Sequence, residues 1–219
     1  MDNIDNPFFE QPAKPKRSGG IVVDMLQSIV VALFICIVLY LFILTPNQVD
    51  GYSMCPNFED AQLLLTNKLS VWLGSTPFGQ SMGLDYQRGD IVVFQKPDRE
   101  KALVKRVIAI GGDKVSIRDG RVYVNGERLL ESYLPPERRT NGGSYLAEGE
   151  EVTIDPGFYF LMGDNRNNSL DSRFNEIGQI KREWLQGKVI LTYWPLSTFG
   201  LISSNNTAPK TLCPVSVQK

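Results

Sequence analysis

The chain has 219 residues, 42% of them hydrophobic, so it can bury a sizeable core and is not predominantly disordered. Its 23 basic residues balance 24 acidic ones, which leaves no basic field to recruit nucleic acid. The chain contains no histidine, and this excludes Ser-His-Asp and Cys-His catalysis, imidazole bases and histidine-ligated metals.

The N-terminal part is predicted to be a tail followed by a membrane anchor. Residues 1–20 are polar and contain three prolines and a Ser-Gly-Gly stretch, which is typical of a flexible tail. Met25 to Leu44 are 20 uncharged residues, and a helix of that length, about 30 Å, matches a bilayer core. We therefore predict an anchor helix over residues 21–44. A buried core helix is the alternative, but apolar residues occupy every face from Ile29 onwards.

The charges that flank this helix predict its orientation. Lys14, Lys16 and Arg17 precede it, whereas the 23 residues after Leu44 contain no Lys or Arg. The positive-inside rule then places the N-terminus in the cytoplasm and the rest of the chain on the outer face of a plasma or thylakoid membrane. No A-x-A cleavage site follows the apolar run, so we expect the anchor to be retained and the lipid bilayer to be a partner.

Residues 45–200 are predicted to form a β-rich domain. Short β-branched or aromatic runs bounded by Gly, Pro and Asp indicate strands at 90–95, 103–110, 114–117, 158–162 and 189–194. Asn125-Gly126 lies between two further strands and predicts a hairpin. The more polar residues 117–155 predict a small inserted subdomain, residues 180–185 a short helix, and residues 201–219 a C-terminal tail.

Without histidine, hydrolytic chemistry must use other side chains as nucleophile and base. The first candidate is a serine. Ser53 lies on a turn bounded by Gly51 and Pro56, shortly after the predicted anchor. Such a turn can expose the hydroxyl and leave the serine N–H to face a developing oxyanion. An ordinary turn at the membrane exit is the alternative.

The three cysteines are too few and too scattered for a four-thiolate metal site or a disulfide framework.

The second candidate is Lys105, in the middle of the apolar strand at 103–110. Strand alternation places it with Leu103 and Val107 on one face and places Arg106 on the other. Both faces are apolar, so at least one of the two cations should be partly buried. An ordinary lysine has a pKa of about 10.4 and must lose about 3 units by desolvation to act as a base at neutral pH. A solvated edge-strand lysine is the alternative.

The third candidate is the loop at residues 163–173, which follows the apolar strand at 158–162 and contains a single aliphatic residue. A solvated loop of Asx turns is the alternative. It resembles part of a calcium loop, but Arg166, Ser169 and Asn175 occupy positions that require other residues, so calcium is excluded. The loop can supply a hydroxyl from Ser169 or Ser172 to orient an amine. Asp171 and Arg173 can form an ion pair that holds the loop.

Four sequence boxes occur in order after the predicted anchor: GYSMCP at 51–56, RGDIVVF at 88–94, KRVIAIGGD at 105–113 and GDNRNNSLDSR at 163–173. They resemble the conserved boxes of type I signal peptidases, the membrane-anchored Ser/Lys endopeptidases of bacterial and thylakoid export. The resemblance covers most of residues 49–194. It implies a mainly β, bilobed fold with one N-terminal transmembrane helix.

The resemblance also implies roles for individual residues. Ser53 would be the nucleophile and Lys105 its general base, while Ser169 would hydrogen-bond the lysine amine and Asp171 and Arg173 would form a supporting pair. The substrates would be preproteins with cleavable signal peptides. The implied chemistry uses no metal or cofactor and involves no nucleic acid.

The chain departs from the family in ways that affect the site. Where one branch has a serine two residues before the nucleophile, this chain has Gly51, so the oxyanion would depend mainly on the Ser53 N–H. The sequence assigns no role to Cys55. Met54, Leu103 and Val104 flank the two catalytic candidates and are expected to line small apolar subsites, with core packing as the alternative.

Two other functions compete with this one. A Ser/Lys autoprotease would need a cytosolic chain with a binding N-terminus, which the apolar span contradicts. A non-catalytic, membrane-tethered β-rich binding module would explain the anchor and strands. It gives no reason for Ser53, Lys105 and the loop at 163–173 to occur together, so the endopeptidase is favoured.

Overall fold

The structure is a computed structural model that describes residues 20–202 and Cys213. The predicted tails at 1–20 and 201–219 therefore lie almost entirely outside the described residues. The chain folds as two compact units, the first ending at Leu39 and the second beginning at Tyr40.

The described residues of the first unit, 20–39, form one apolar helix. Helix α1 spans Ile21–Val38, with Gly20 as its N-cap and Asp24 in its first turn, where a carboxylate meets the favourable end of the helix dipole. Its mean hydropathy is 2.7 and none of it is buried within the protein, so it is long and apolar enough to span a membrane. The presence of one such helix among the described residues, near the N-terminus, confirms that part of the predicted fold. The predicted end at residue 44 is one residue late, because a π-helical turn, Leu39–Ile43, leads into a strand.

The second unit is built on two antiparallel sheets. The larger sheet has the strand order β1-β2-β11-β3-β4-β9-β10, with β12 paired to β11. Its strands are β1 Leu44–Gln48, β2 Leu63–Asn67, β3 Ile91–Phe94, β4 Leu103–Ile110, β9 Phe158–Met162, β10 Ile180–Lys181, β11 Leu185–Trp194 and β12 Gly200–Leu201. Two short helices, α2 Leu69–Trp72 and α3 Pro77–Ser81, connect β2 to β3. The mainly β, two-lobed architecture is the one expected from the sequence.

The smaller sheet has the order β7-β6-β5-β8. Its strands are β5 Lys114–Arg118, β6 Arg121–Val124, β7 Glu127–Arg128 and β8 Glu151–Thr153. Asn125 and Gly126 join β6 to β7 with φ values of 54° and 83°, the left-handed pair that a tight hairpin turn requires. The sheet overlaps the predicted insert at 117–155, but it belongs to the same compact unit as the larger sheet.

Strand β4 lies at the centre of the larger sheet, between β3 and β9. A β-bulge between Val107 and Ala109 interrupts the alternation expected from the sequence. As a result Ile110 joins Val107 in one hydrophobic cluster, while Ile108 and Ala109 pack in another, which contains residues of both sheets. Lys105 and Arg106 precede the bulge, and both are buried.

The predicted short helix at residues 180–185 is largely wrong. Ile180–Lys181 form strand β10, Arg182–Trp184 form a single 3₁₀ turn, and Leu185 begins β11. Ile180 and Leu185 are both buried in one hydrophobic cluster. The burial of these two side chains against the sheet outweighs the weak local helical preference.

Candidate active site

Two candidate residues that are 52 positions apart in sequence meet in the structure. Lys105 Nζ lies 2.7 Å from Ser53 Oγ and 3.0 Å from the carbonyl oxygen of Val104. Lys105 is 1% exposed on the central strand β4, whereas Ser53 is half-buried on the turn that follows β1. A serine hydroxyl and a lysine amine at this distance can exchange a proton.

Burial lowers the pKa of Lys105 to about 8. Desolvation of the ammonium is the main cause, and the carboxylates of Asp171 and Asp164 oppose it in part. A pKa near 8 leaves about a tenth of the lysine amines neutral at pH 7, against roughly one in 2,500 for an ordinary lysine. The buried strand therefore supplies most of the shift that a base acting at neutral pH requires.

The turn that carries Ser53 is held from both sides. Gly51 has a φ of +80° and its N–H donates to Asp60 Oδ1 at 2.7 Å. From the loop at 163–173, the Asn165 N–H donates to the Ser53 carbonyl at 3.0 Å and Asn165 Nδ2 donates to the Tyr52 carbonyl at 3.1 Å. Sequence reasoning missed Asn165 as a site residue, although it lies in a loop that the sequence marks as a candidate.

A buried ion pair adjoins Lys105 and was not anticipated. Arg106 Nε and Nη2 donate to the two carboxylate oxygens of Asp164 at 2.8 and 2.7 Å, and neither side chain is exposed. Asn57 Nδ2 donates to the same carboxylate at 2.7 Å, which links the pair to the turn after Ser53. The Arg106 guanidinium also lies 3.8 Å from the centroid of the Tyr133 ring. Both charged residues belong to the quoted sequence boxes, but spacing alone does not reveal that they meet.

Asp171 and Arg173 form an ion pair inside the loop at 163–173. Arg173 donates from Nε and Nη2 to the carboxylate at 2.8 and 2.9 Å, and both residues are buried. Asp171 also accepts a hydrogen bond from the Gly163 N–H at 3.0 Å, and Arg173 donates to the Arg166 carbonyl at 2.8 Å. These bonds close the loop on itself.

Ser169 is close to the site, but the hydrogen bond expected between it and the lysine amine is not formed. Its Oγ is buried and has no hydrogen-bond partner among the described residues. A Cβ atom at Gly163 would lie 2.2 Å from Ser169 Oγ and 2.5 Å from the Ser53 carbonyl oxygen. Only glycine at position 163 allows this close approach between the loop and the turn that carries Ser53.

The three expected subsite residues lie beside the Ser53–Lys105 pair but contribute mainly to the core. Met54 is fully buried and Val104 is 8% exposed, and they pack in the same hydrophobic cluster. Leu103 is half-buried and packs against a different cluster. The core-packing alternative therefore describes Met54 and Val104 in this structure.

Cys55, which received no role from the sequence, forms a disulfide with Cys213, 158 residues away. Cys55 is 1% exposed and lies two residues after Ser53. The bond ties the Ser53 turn to a C-terminal residue. The sequence predicted no disulfide framework from three scattered cysteines, but folding brings together two that are remote in sequence.

Comparisons with known proteins agree on one family. A sequence model described as "Signal peptidase, peptidase S26" matches residues 22–194. Signal peptidase I P of Bacillus subtilis subsp. natto is 31% identical over 186 residues, which are 84% of this chain and 95% of that protein. Signal peptidase I of Bacillus caldolyticus is 37% identical over 177 residues, 75% of this chain and 88% of its own.

A crystal structure of signal peptidase I from Enterococcus faecalis V583 is 29% identical, covers 48% of this chain and 96% of its own, and superposes with a TM-score of 0.40. The family match spans both the apolar helix and the two sheets, and the relatives are aligned over most of their length. These matches exclude the non-catalytic binding module. The chain therefore belongs to the signal peptidase family, peptidase S26, whose members are serine endopeptidases that remove signal peptides from exported proteins.

Proposed function

We propose that Ser53 is the nucleophile and Lys105 the general base of signal-peptide cleavage. The observation that carries this proposal is the 2.7 Å contact between the serine oxygen and a buried lysine amine. Neutral Lys105 takes the Ser53 proton as the serine oxygen attacks the scissile carbonyl, and the resulting ammonium protonates the leaving amine. The amine then takes a proton from the water that hydrolyses the acyl-enzyme, and Ser53 is regenerated.

The surrounding residues are assigned positioning roles. Within the described residues the Ser53 N–H donates to no protein acceptor, so it is available to the oxyanion in the absence of a hydroxyl at Gly51. Asp171 and Arg173 hold the loop whose Asn165 fixes the Ser53 carbonyl. Ser169 is proposed as a partner of the lysine amine during turnover, because its buried hydroxyl has no other partner among the described residues.

The rate of cleavage should depend on pH through Lys105. Only the neutral amine accepts the serine proton, so kcat/KM should rise about tenfold per pH unit below the lysine pKa and level off above about pH 8. The measurement is kcat/KM for a fluorogenic signal-peptide substrate between pH 6 and 10. A profile that is flat between pH 6 and 9 would contradict the general-base role.

The substrate site is proposed to accept small side chains one and three residues before the cut. An extended peptide bound along a strand edge points alternate side chains at the protein, and the half-buried Leu103 with the slightly exposed Val104 would line shallow subsites, while Met54 packs in the core beside Val104. Phe in place of Ala at either position should lower kcat/KM at least about tenfold, on the order of 1.4 kcal/mol. The same change at the intervening position is the control and should have little effect. Equal cleavage of all three peptides would exclude this pocket arrangement.

We further propose that α1 anchors the chain in a plasma or thylakoid membrane with the catalytic unit on the outer face. The cations at 14–17 and the absence of Lys or Arg from 45–67 support this orientation. Protease added outside intact membranes should cut within the region after Thr45 and leave residues 1–20 protected. Protection of the catalytic unit from external protease would reverse the orientation.

A further inference from the structure

Arg99, in the connection between β3 and β4, is an arginine without a partner among the described residues. Its side chain forms no hydrogen bond or ion pair with them, and its buried Nε has no acceptor there. The residue is half-buried. A guanidinium withdrawn from water is unfavourable without acceptors, because it carries five N–H donors and cannot lose its charge by releasing a proton. The side chain is therefore available to an acceptor that another molecule supplies.

The charged side chains on either side of Arg99 pair elsewhere. Lys96 Nζ lies 3.6 Å from Asp98 Oδ2, and Lys101 Nζ lies 2.6 Å from Asp50 Oδ2. Neither carboxylate forms an ion pair with Arg99. The positive charge of Arg99 is thus unmatched within the part of the chain that the structure describes.

The backbone around Arg99 is fixed, so its lack of a partner is not the result of a loose connection. Gln95 Nε2 donates to the carbonyl oxygens of Arg99 and Glu100 at 3.2 and 3.1 Å. The Arg99 N–H donates to the Lys96 carbonyl at 3.1 Å. These bonds close residues 95–102 into a compact connection, which we call the β3–β4 turn.

The β3–β4 turn lies next to the segment that carries Ser53. Lys101 joins it to Asp50, three residues before Ser53. Ala102 packs against the hydrophobic cluster that contains Val104. The turn therefore borders the proposed active site on the side where β4 begins.

The direction of β4 relates Arg99 to the substrate. From Lys105, beside which the proposed cut takes place, the strand runs back through Val104 and Leu103 to the β3–β4 turn. Val104 and Leu103 are the residues proposed to line the subsites for side chains one and three residues before the cut. An extended peptide advances about 3.3 Å per residue, so its fourth and fifth residues before the cut would reach the turn.

The charge of Arg99 also acts on Lys105. Burial is the main cause of the lowered pKa of Lys105, and the positive charge of Arg99 lowers this pKa further, against the carboxylates of Asp171 and Asp164. Solvent and salt screen charges that are far apart, so an effect of this kind requires that the two cations lie near each other. The guanidinium is therefore near the proposed active site and not only on the same side of the domain.

We propose that Arg99 is a specificity-determining residue, which binds an acidic side chain at the fourth or fifth residue before the cut. The inference rests on the proposed function of Ser53 and Lys105. A carboxylate can accept two parallel N–H bonds from the guanidinium, whereas a lysine at the same place would meet a like charge. Preproteins with Asp or Glu at these positions should therefore be cleaved faster than those with Lys.

The test compares fluorogenic signal-peptide substrates that carry Asp, Asn or Lys at the fourth or the fifth residue before the cut. At one of these positions, the full-length enzyme should cleave the Asp peptide with a kcat/KM at least about fivefold above that of the Lys peptide, the range of a partly exposed ion pair. Arg99→Lys should keep this order and Arg99→Glu should reverse it. Equal cleavage of all the peptides, or a preference for Asp that survives Arg99→Glu, would overturn the proposal.

The matched control is Arg128→Glu, which makes the same change of charge at an exposed residue of the edge strand β7. It should leave the order of the peptides as it is in the wild type. A uniform loss on all peptides in Arg99→Glu would mean that Arg99 supports the fold of the site, and this contradicts the proposal. Wild-type enzyme that cleaves every peptide equally refutes only the role of Arg99, whereas an active Lys105→Arg enzyme refutes the proposed function.

A second measurement does not depend on the charge of the substrate. Arg99→Gln removes a charge that lowers the pKa of Lys105, so the rise of kcat/KM with pH for the Asn peptide should move to higher pH. Arg128→Gln should leave the profile in place. A profile that is the same in Arg99→Gln as in the wild type would show that Arg99 does not face the site, and would contradict the proposal.

Discussion

Lys105→Arg is expected to lower kcat/KM by about 10²- to 10⁴-fold, the contribution of a positioned general base. Arginine keeps the positive charge but cannot release a proton near neutral pH, so the serine hydroxyl would lose its acceptor. Ser53→Ala and Lys105→Ala should be equally inactive. The assay is cleavage of a purified preprotein by the full-length enzyme, with membrane insertion and the thermal unfolding profile measured in parallel.

The matched control is Lys101→Arg. Lys101 is an exposed lysine four residues away that pairs with Asp50 at 2.6 Å. Its replacement should leave cleavage unchanged, because arginine can form the same surface contact. Appreciable activity in Lys105→Arg would contradict the assignment of Lys105 as the base, whatever the result for Lys101.

Asp164→Ala is expected to destabilise the second unit by about 3–5 kcal/mol, because it leaves the buried Arg106 guanidinium without its carboxylate. It also removes one of the two acceptors of the Asn57 side-chain amide, which retains the Tyr133 carbonyl. The measurement is the free energy of unfolding of the full chain in detergent micelles, from a urea titration followed by tryptophan fluorescence.

The double variant Arg106→Met with Asp164→Leu tests the cause of that loss. Apolar replacement of both members of a buried ion pair is often neutral, so the double variant should recover most of the stability. Lys101→Ala, which breaks only an exposed pair, should leave the unfolding midpoint unchanged. A loss below about 1 kcal/mol in Asp164→Ala would show that the pair is not the buried, desolvated contact that its geometry indicates.

The loop at 163–173 holds together the two segments that carry Ser53 and Lys105. The Ser53 turn is tied to this loop through Asn165, and the loop is closed by the Asp171–Arg173 pair. The same loop supplies Asp164, which binds Arg106 next to Lys105 on β4. The loop therefore contacts both elements that carry the proposed catalytic pair, the Ser53 turn through the two N–H groups of Asn165 and β4 through the buried Asp164 carboxylate.

The sequence by itself determined the features that depend on local pattern. Hydropathy predicts an apolar helix near the N-terminus, because a long uncharged apolar run is visible in the sequence without knowledge of tertiary contacts. The absence of histidine and the four boxes lead to a serine peptidase of this family, and strand and turn signals lead to a mainly β fold. Ser53 and Lys105 could be named from their boxes, although their roles remain predictions.

Only the tertiary structure decided which distant residues meet. Arg106 with Asp164, Asn165 with Ser53, and Cys55 with Cys213 are contacts between segments far apart in the chain. The bulge in β4 changes which side chains share a face, and sheet packing replaces the predicted helix at 180–185. Local propensity is worth only fractions of a kcal/mol per residue, whereas burying an apolar side chain is worth about 1.5–3 kcal/mol, so packing prevails wherever the two conflict.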